Sequence, residues 1–216
     1  EREQLLINNM NGEILEKKGF VDFLKSKKKL LFILIGFLIL VLIFFAWLDY
    51  DSKSKKIKIS ENFIQAKVLY SNDKHNESLQ ILKKIIEERD RIYSPLSLFL
   101  IIDKNLEKDE KNILEYFDTV LSIGSLEKED LNLIKFKKAI FISNSSNEQN
   151  IINLLNPIIN SNSVWKIQSL KFLGDYYFSL KEFRKADQYY SILLREADES
   201  VDTSEIKRKM KLIKND

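Results

Sequence analysis

His75 is the single histidine in this 216-residue chain, and cysteine is absent. Acid–base and metal chemistry therefore have few places to begin. His75 lies in the polar stretch SNDKHNE, with no second imidazole or thiolate to complete a zinc site. Without cysteine there is no thiol nucleophile and no disulfide. A serine triad would have to recruit His75, yet the strained GxSxG elbow that exposes such a serine does not occur. The five glycines, at positions 12, 19, 36, 124 and 174, are too scattered to cradle a phosphate. Glu87/Glu88 and Glu107/Asp109/Glu110 read as exposed helix or turn charges rather than an acid–base pair. No catalytic, cofactor-binding or metal-ligating residue is assigned, and a non-enzyme is expected.

Small and aromatic residues carry a stronger pattern. Leu170, Leu173, Gly174 and Tyr177 are followed by Ala186, Tyr190 and Leu193. This resembles the tetratricopeptide (TPR) pattern of a two-helix hairpin. Gly174 and Ala186 would let the two backbones approach closely, with Tyr177 and Tyr190 filling the space on either side. The position of Gly174 recurs at Ala139, Ile101 and Ala66, in steps of 35 (Ala139 to Gly174), 38 (Ile101 to Ala139) and 35 (Ala66 to Ile101). The position of Ala186 recurs at Ile151, Ile113 and Ser78. The extra residues of the middle step are placed in the polar stretch Ser122–Asp130. The packing set is thus Ala66, Ala139, Leu173, Gly174, Tyr177, Ala186 and Tyr190. A nonrepetitive helical bundle is the competing reading.

These hairpins fill residues 60–200. Expected helices are broken at Ser71–Asn76, at SNSSN (143–147) and at Asn160–Ser163, with Pro95 in a first turn. Thr203–Ile213 carries Ile206, Met210 and Ile213 on one stripe and is expected to cap the array within 201–216. On the first helix of each hairpin, positions not used for pairing would line a groove. By register these are Phe63, Lys67 and Tyr70 in the first copy, and Gln168, Lys171, Asp175 and Phe178 in the fourth. Mixed aromatic and charged groups suit an extended polypeptide. Phe63, Tyr70 and Phe178 could equally pack against neighbouring helices.

Leu30–Leu48 (LLFILIGFLILVLIFFAWL) contains no charge. At about 1.5 Å per residue it matches the roughly 30 Å hydrocarbon core of a bilayer, and a transmembrane helix is expected. It is longer than a signal-peptide apolar region and does not end in a small-x-small site. Lys25, Lys27, Lys28 and Lys29 precede it, which favours a cytoplasmic N-terminus for residues 1–29. Within that lead, Phe20–Leu24 could lie on the membrane surface. Residues 49–59 form a short polar connector. The chain starts at Glu1 rather than a methionine, so residues before it are expected. A net charge of +3 argues against a nucleic-acid partner.

An N-terminal span, a connector and about four TPR-like hairpins without enzyme motifs resemble the YfgM-type bacterial proteins. The resemblance is most specific in NPIINSNSVWKIQSLKFLGDYYFSLKEFRKADQYY (Asn156–Tyr190). It implies an all-α protein of the inner membrane with its helical repeats in the periplasm. It also implies association with the SecYEG translocon and the chaperone PpiD, in support of newly exported proteins. The alternative is an assembly factor for an envelope complex, in cytochrome maturation or cell division.

Overall fold

The computed structural model describes residues 28–145 and 147–214. Among them are nine helices and no strand. They are α1 (Lys28–Ser71), α2 (His75–Glu87), α3 (Tyr93–Asp103), α4 (Glu110–Leu121), α5 (Lys128–Ile142), α6 (Glu148–Ile159), α7 (Lys166–Ser179), α8 (Phe183–Glu196) and α9 (Ser204–Ile213). The expected amphipathic segment Phe20–Leu24, and most of the 1–29 lead, lie outside the described residues.

The chain forms two compact units, Glu1–Lys58 and Ile59–Asp216. In the first, helix α1 runs through the apolar stretch and on through residues 49–58, which the sequence reads as a polar connector. Most of its described large side chains are exposed. Phe37, Leu38, Ile39 and Leu40 are consecutive and each at least half exposed. The described side chains within 30–48 are not continuous, and among the described residues no helix is long and apolar enough to cross a membrane.

The second unit is a run of helical hairpins, the arrangement of a helical solenoid. Its pairs are residues 59–71 of α1 with α2, then α3 with α4, α5 with α6, and α7 with α8. The second helices are one-sided. Ile113, Phe117 and Val120 on α4, Ile151, Leu155 and Ile158 on α6, and Ala186, Tyr190 and Leu193 on α8 are buried at the same i, i+4, i+7 spacing. That spacing puts one stripe on the core and leaves the rest to solvent. From the second hairpin on, the first helices bury a broader surface, such as Ser169, Leu170, Leu173, Gly174 and Tyr177 on α7. Side chains close some helix starts. Asp109 accepts from the Lys111 N–H (2.9 Å) and Asn147 from the Asn150 N–H (3.0 Å). Pro95 sits in the first turn of α3, where its missing N–H leaves nothing unpaired.

The turns inside hairpins repeat too. Asp73, Asn105 and Lys181 adopt left-handed backbone, with φ of 61°, 51° and 61°. In each case the next N–H reaches back five residues, Lys74 to Leu69, Leu106 to Ile101 and Glu182 to Tyr177, all at 2.9 Å. This is the Schellman closure, which satisfies a carbonyl the ending helix leaves unpaired.

The turn also fixes the register. The left-handed residue follows Ala66 and Gly174 by seven positions but follows Ile101 by only four; seven before Asn105 stands Leu98. Burial agrees, because α3 buries Ser97, Leu98 and Ile101 where α7 buries Leu173, Gly174 and Tyr177. The counterpart of Gly174 in the second copy is therefore Leu98, one turn earlier than the spacing predicts. The loop at residues 104–109 is six residues long, against three at 72–74 and 180–182.

Candidate partner-binding groove

At the crossing of α7 and α8 an added Cβ on Gly174 would stand 2.5 Å from Tyr190 Cδ1, with Cε1 closer still. Tyr190 is fully buried, and its hydroxyl donates to Asp175 at 2.7 Å. Ala66, Ala139, Leu173, Ala186 and Tyr190 are completely buried and Tyr177 is 2% exposed, so the whole packing set lies in the core. In the first copy the crossing is polar. Ser78 replaces the alanine and donates to the Ala66 carbonyl at 2.8 Å.

The positions read as groove-lining have different surroundings. Lys67 and Gln168 are exposed. Phe63 is half-buried and packs on Tyr93 of the next hairpin, ring centroids 5.6 Å apart. Tyr70 lies against His75 at 4.9 Å and beneath the Lys104 ammonium at 5.5 Å. Lys171, Asp175 and Phe178 are engaged with α9. Lys171 pairs with Glu205 (3.2 Å), Lys209 pairs with Asp175 (2.7 Å), and Lys209 Nζ stands 5.8 Å from the centroid of the Phe178 ring. Burial alone would raise the Asp175 pKa, but Lys171, Lys209 and the Tyr190 hydroxyl outweigh it and hold it below the usual carboxylate value. Burial, with Asp175 as acceptor, pushes Tyr190 well above an ordinary phenol.

With the second copy re-registered, the row containing Lys67 and Asp175 continues through Phe99 and Ile140. The row containing Gln168 continues through Ile92 and Leu133. Spacing counted from Ile101 would have selected Pro95 and Ile102 instead, so the inner, apolar stretch is displaced in the sequence reading. The three-residue-longer turn after α3 is the signal that locates it.

A recess of about 220 Å³ lies at this place, between α3 and α5. Ile92, Pro95, Leu96 and Phe99 form one wall and Leu133 and Ile134 the other, with Arg91 and Asp130 at the rim. Ile92 is 53% and Leu96 43% exposed. Lys137 Nζ stands 5.8 Å from the Phe99 ring centroid, and Arg91 pairs with Glu127 at 3.5 Å. The result is an apolar slot with charged edges, able to take one large side chain and strip its water.

A second recess of about 360 Å³ lies among α4, α5 and α6, lined by Leu114, Asp118, Lys138, Ile142 and Leu154 with two asparagines. The Lys138–Asp118 ion pair joins two of its walls, so less apolar surface is offered there.

Glu107, read from sequence as an exposed turn charge, is a structural hub. Its side chain is only 11% exposed. It takes Lys83 of α2 at 2.8 Å, Asn112 Nδ2 at 3.1 Å, and the N–H groups of Lys108 and Asp109. Led by the Lys83 bond, these hold its pKa at about 2. It pins the long 104–109 turn whose length shifts the register. His75 is half-exposed beside Asp73, 3.9 Å away. Among the described residues no group of three His, Cys, Asp or Glu side chains could hold a metal ion. No family model, curated protein or solved structure matches the chain.

Proposed function

We propose that this chain is a membrane-anchored, non-catalytic TPR-like scaffold that holds polypeptide partners in the slot between α3 and α5. The exposure of Ile92 and Leu96 around the apolar recess carries the reading, because surface apolar clusters with polar rims mark interaction sites. The uncharged run Leu30–Leu48, whose described side chains Phe37, Leu38, Ile39 and Leu40 are all exposed, supports insertion in a bilayer, and the lysines before it support a cytoplasmic N-terminus. On this reading the hairpins work in the periplasm. The YfgM-type resemblance adds the role: assistance to newly exported proteins beside SecYEG and a PpiD-like chaperone.

The test uses the full chain in lipid nanodiscs and a fluorescently labelled, unstructured polypeptide containing aromatic residues. Saturable binding is expected. Ile92→Asp together with Leu96→Asp should weaken it at least tenfold, a loss of about 1.4 kcal/mol. Both positions are surface-exposed, so the helical circular dichroism should be retained. Equal affinity in the double variant would rule out the slot. Purification from native membranes then separates the export role from envelope-complex assembly by which subunits are enriched.

A further inference from the structure

The three junctions between successive first helices differ at one place. Three residues before the crossing positions Ala66, Leu98 and Ala139 stand Phe63, Pro95 and Phe136. Phe63 packs on Tyr93 of the next hairpin, ring centroids 5.6 Å apart. Phe136 stacks on Trp165, just before α7, at 6.2 Å with the ring planes 23° apart. Each outer junction is thus filled by an aromatic ring that the following hairpin supplies. In the middle junction Pro95 faces Asp130, Leu133 and Ile134 of α5, and the recess of about 220 Å³ lies there. Asp130 holds the place of Trp165, since each stands nine residues before its crossing position, Ala139 or Gly174. The two aromatic residues of α5 are engaged elsewhere, Phe136 with Trp165 and Phe141 with Phe117. Phe99, on the α3 wall of the recess, meets the Lys137 ammonium and, among the described residues, no second ring.

We infer that the slot selects an aromatic side chain of the bound polypeptide, which takes the place that Tyr93 and Trp165 fill in the flanking junctions. The inference rests on the slot being the binding site. A guest ring beside Pro95 meets Phe99, and paired rings gain from edge or offset contacts with centroids about 4.5–7 Å apart. The Lys137 ammonium, already held near one ring, attracts the negative face of another. An aliphatic side chain would fill the same volume and forgo both contacts. A folded second copy has no ring to offer from its repeat unit. Among the described residues from 59 onward no aromatic side chain is exposed, and the exposed large apolar residues, such as Ile140 and Val164, are aliphatic. An extended or unfolded segment, whose aromatic side chains are bare, supplies the ring.

The probes are two labelled, unstructured polypeptides, identical except that one carries phenylalanine and the other leucine at every apolar position. The two side chains gain similarly from leaving water, so a preference between them reads the ring. Binding to the full chain in nanodiscs is followed by fluorescence anisotropy. The phenylalanine version is expected to bind about threefold or more tightly than the leucine version. Asp130→Trp restores an indole where the next junction has one, and should weaken phenylalanine binding roughly tenfold, whereas Asp130→Asn should leave it unchanged. Asp130 is exposed, so the helical circular dichroism of both variants should match wild type. Equal binding of the two polypeptides, lost in the chain with Ile92→Asp and Leu96→Asp, keeps the slot as the site and overturns its aromatic selectivity. Binding that survives that double variant, or no binding of either polypeptide, removes the slot and this inference together. Undiminished binding to the Asp130→Trp chain, or a loss that Asp130→Asn equals, also overturns the inference.

Discussion

At the scale of single residues, two side chains test the packing and the electrostatics separately. Gly174 faces a ring that cannot retreat, because Tyr190 is buried and held by Asp175. Gly174→Ala should destabilise the protein by about 1–3 kcal/mol in urea unfolding, the usual range for overpacking, although alanine is the better helix former. A gain in stability would show that the crossing is looser than the contact implies. The spacing around Gly174 made this position legible, because a glycine inside an otherwise helical pattern needs a packing reason. Glu107 was not legible. Its charge pattern matches that of any solvated turn, and its partner Lys83 lies on another hairpin. Its folded pKa of about 2 is below its ordinary 4.5, so its contribution is complete above pH 4.5 and lost as the pH falls toward 2. Wild type should therefore lose on the order of 2 kcal/mol from this group across that window, after allowance for solvent screening. Glu107→Gln should be less stable at pH 7 and lack that share of the acid dependence. Identical acid profiles for the two proteins would remove Glu107 from the account.

At the scale of helices and turns, the all-α organisation and its hairpins could be read from the 3.6-residue stripes, while the register of the second copy could not. Ile101 and Leu98 are both buried aliphatic residues on one helix, so periodicity cannot choose between them. The choice lies in where the helix stops, and that is set by a left-handed residue without a glycine to announce it. Asp73, Asn105 and Lys181 all occupy that conformation. Asparagine tolerates it through short polar contacts, whereas lysine bears the full steric cost. Lys181→Gly should therefore raise stability by up to about 1 kcal/mol, less the extra chain entropy that glycine brings to the unfolded state. Asn105→Gly should change it less. The ordering of the two midpoints in thermal unfolding is the measurement, and a fall at position 181 would mean that the turn does not govern the register.

At the scale of the repeat unit, its two ends are treated differently, and that difference predicts where it unfolds first. Each hairpin is stabilised mainly by its neighbours, so an end hairpin depends on whatever covers its outer side. At the C-terminal end this is α9, which buries Ile206 and carries Lys209 and Glu205 onto Asp175 and Lys171. Burial of an isoleucine side chain stabilises by about 1.5–3 kcal/mol. The partly exposed ion pairs add at most about 1 kcal/mol each. A chain ending after Asp202 should thus lose about 3 kcal/mol, and the loss should be local. Amide hydrogen exchange should quicken in α7 and α8, where Tyr190 and Asp175 lose the cover of Lys209, while α2 and α3 keep their protection. The same truncation should leave the slot between α3 and α5 binding its polypeptide, since no residue lining that recess belongs to the fourth hairpin or to α9. Uniform loss of protection along all the helices would show that the hairpins unfold as one cooperative block. The end faces would then have no separate role in its stability.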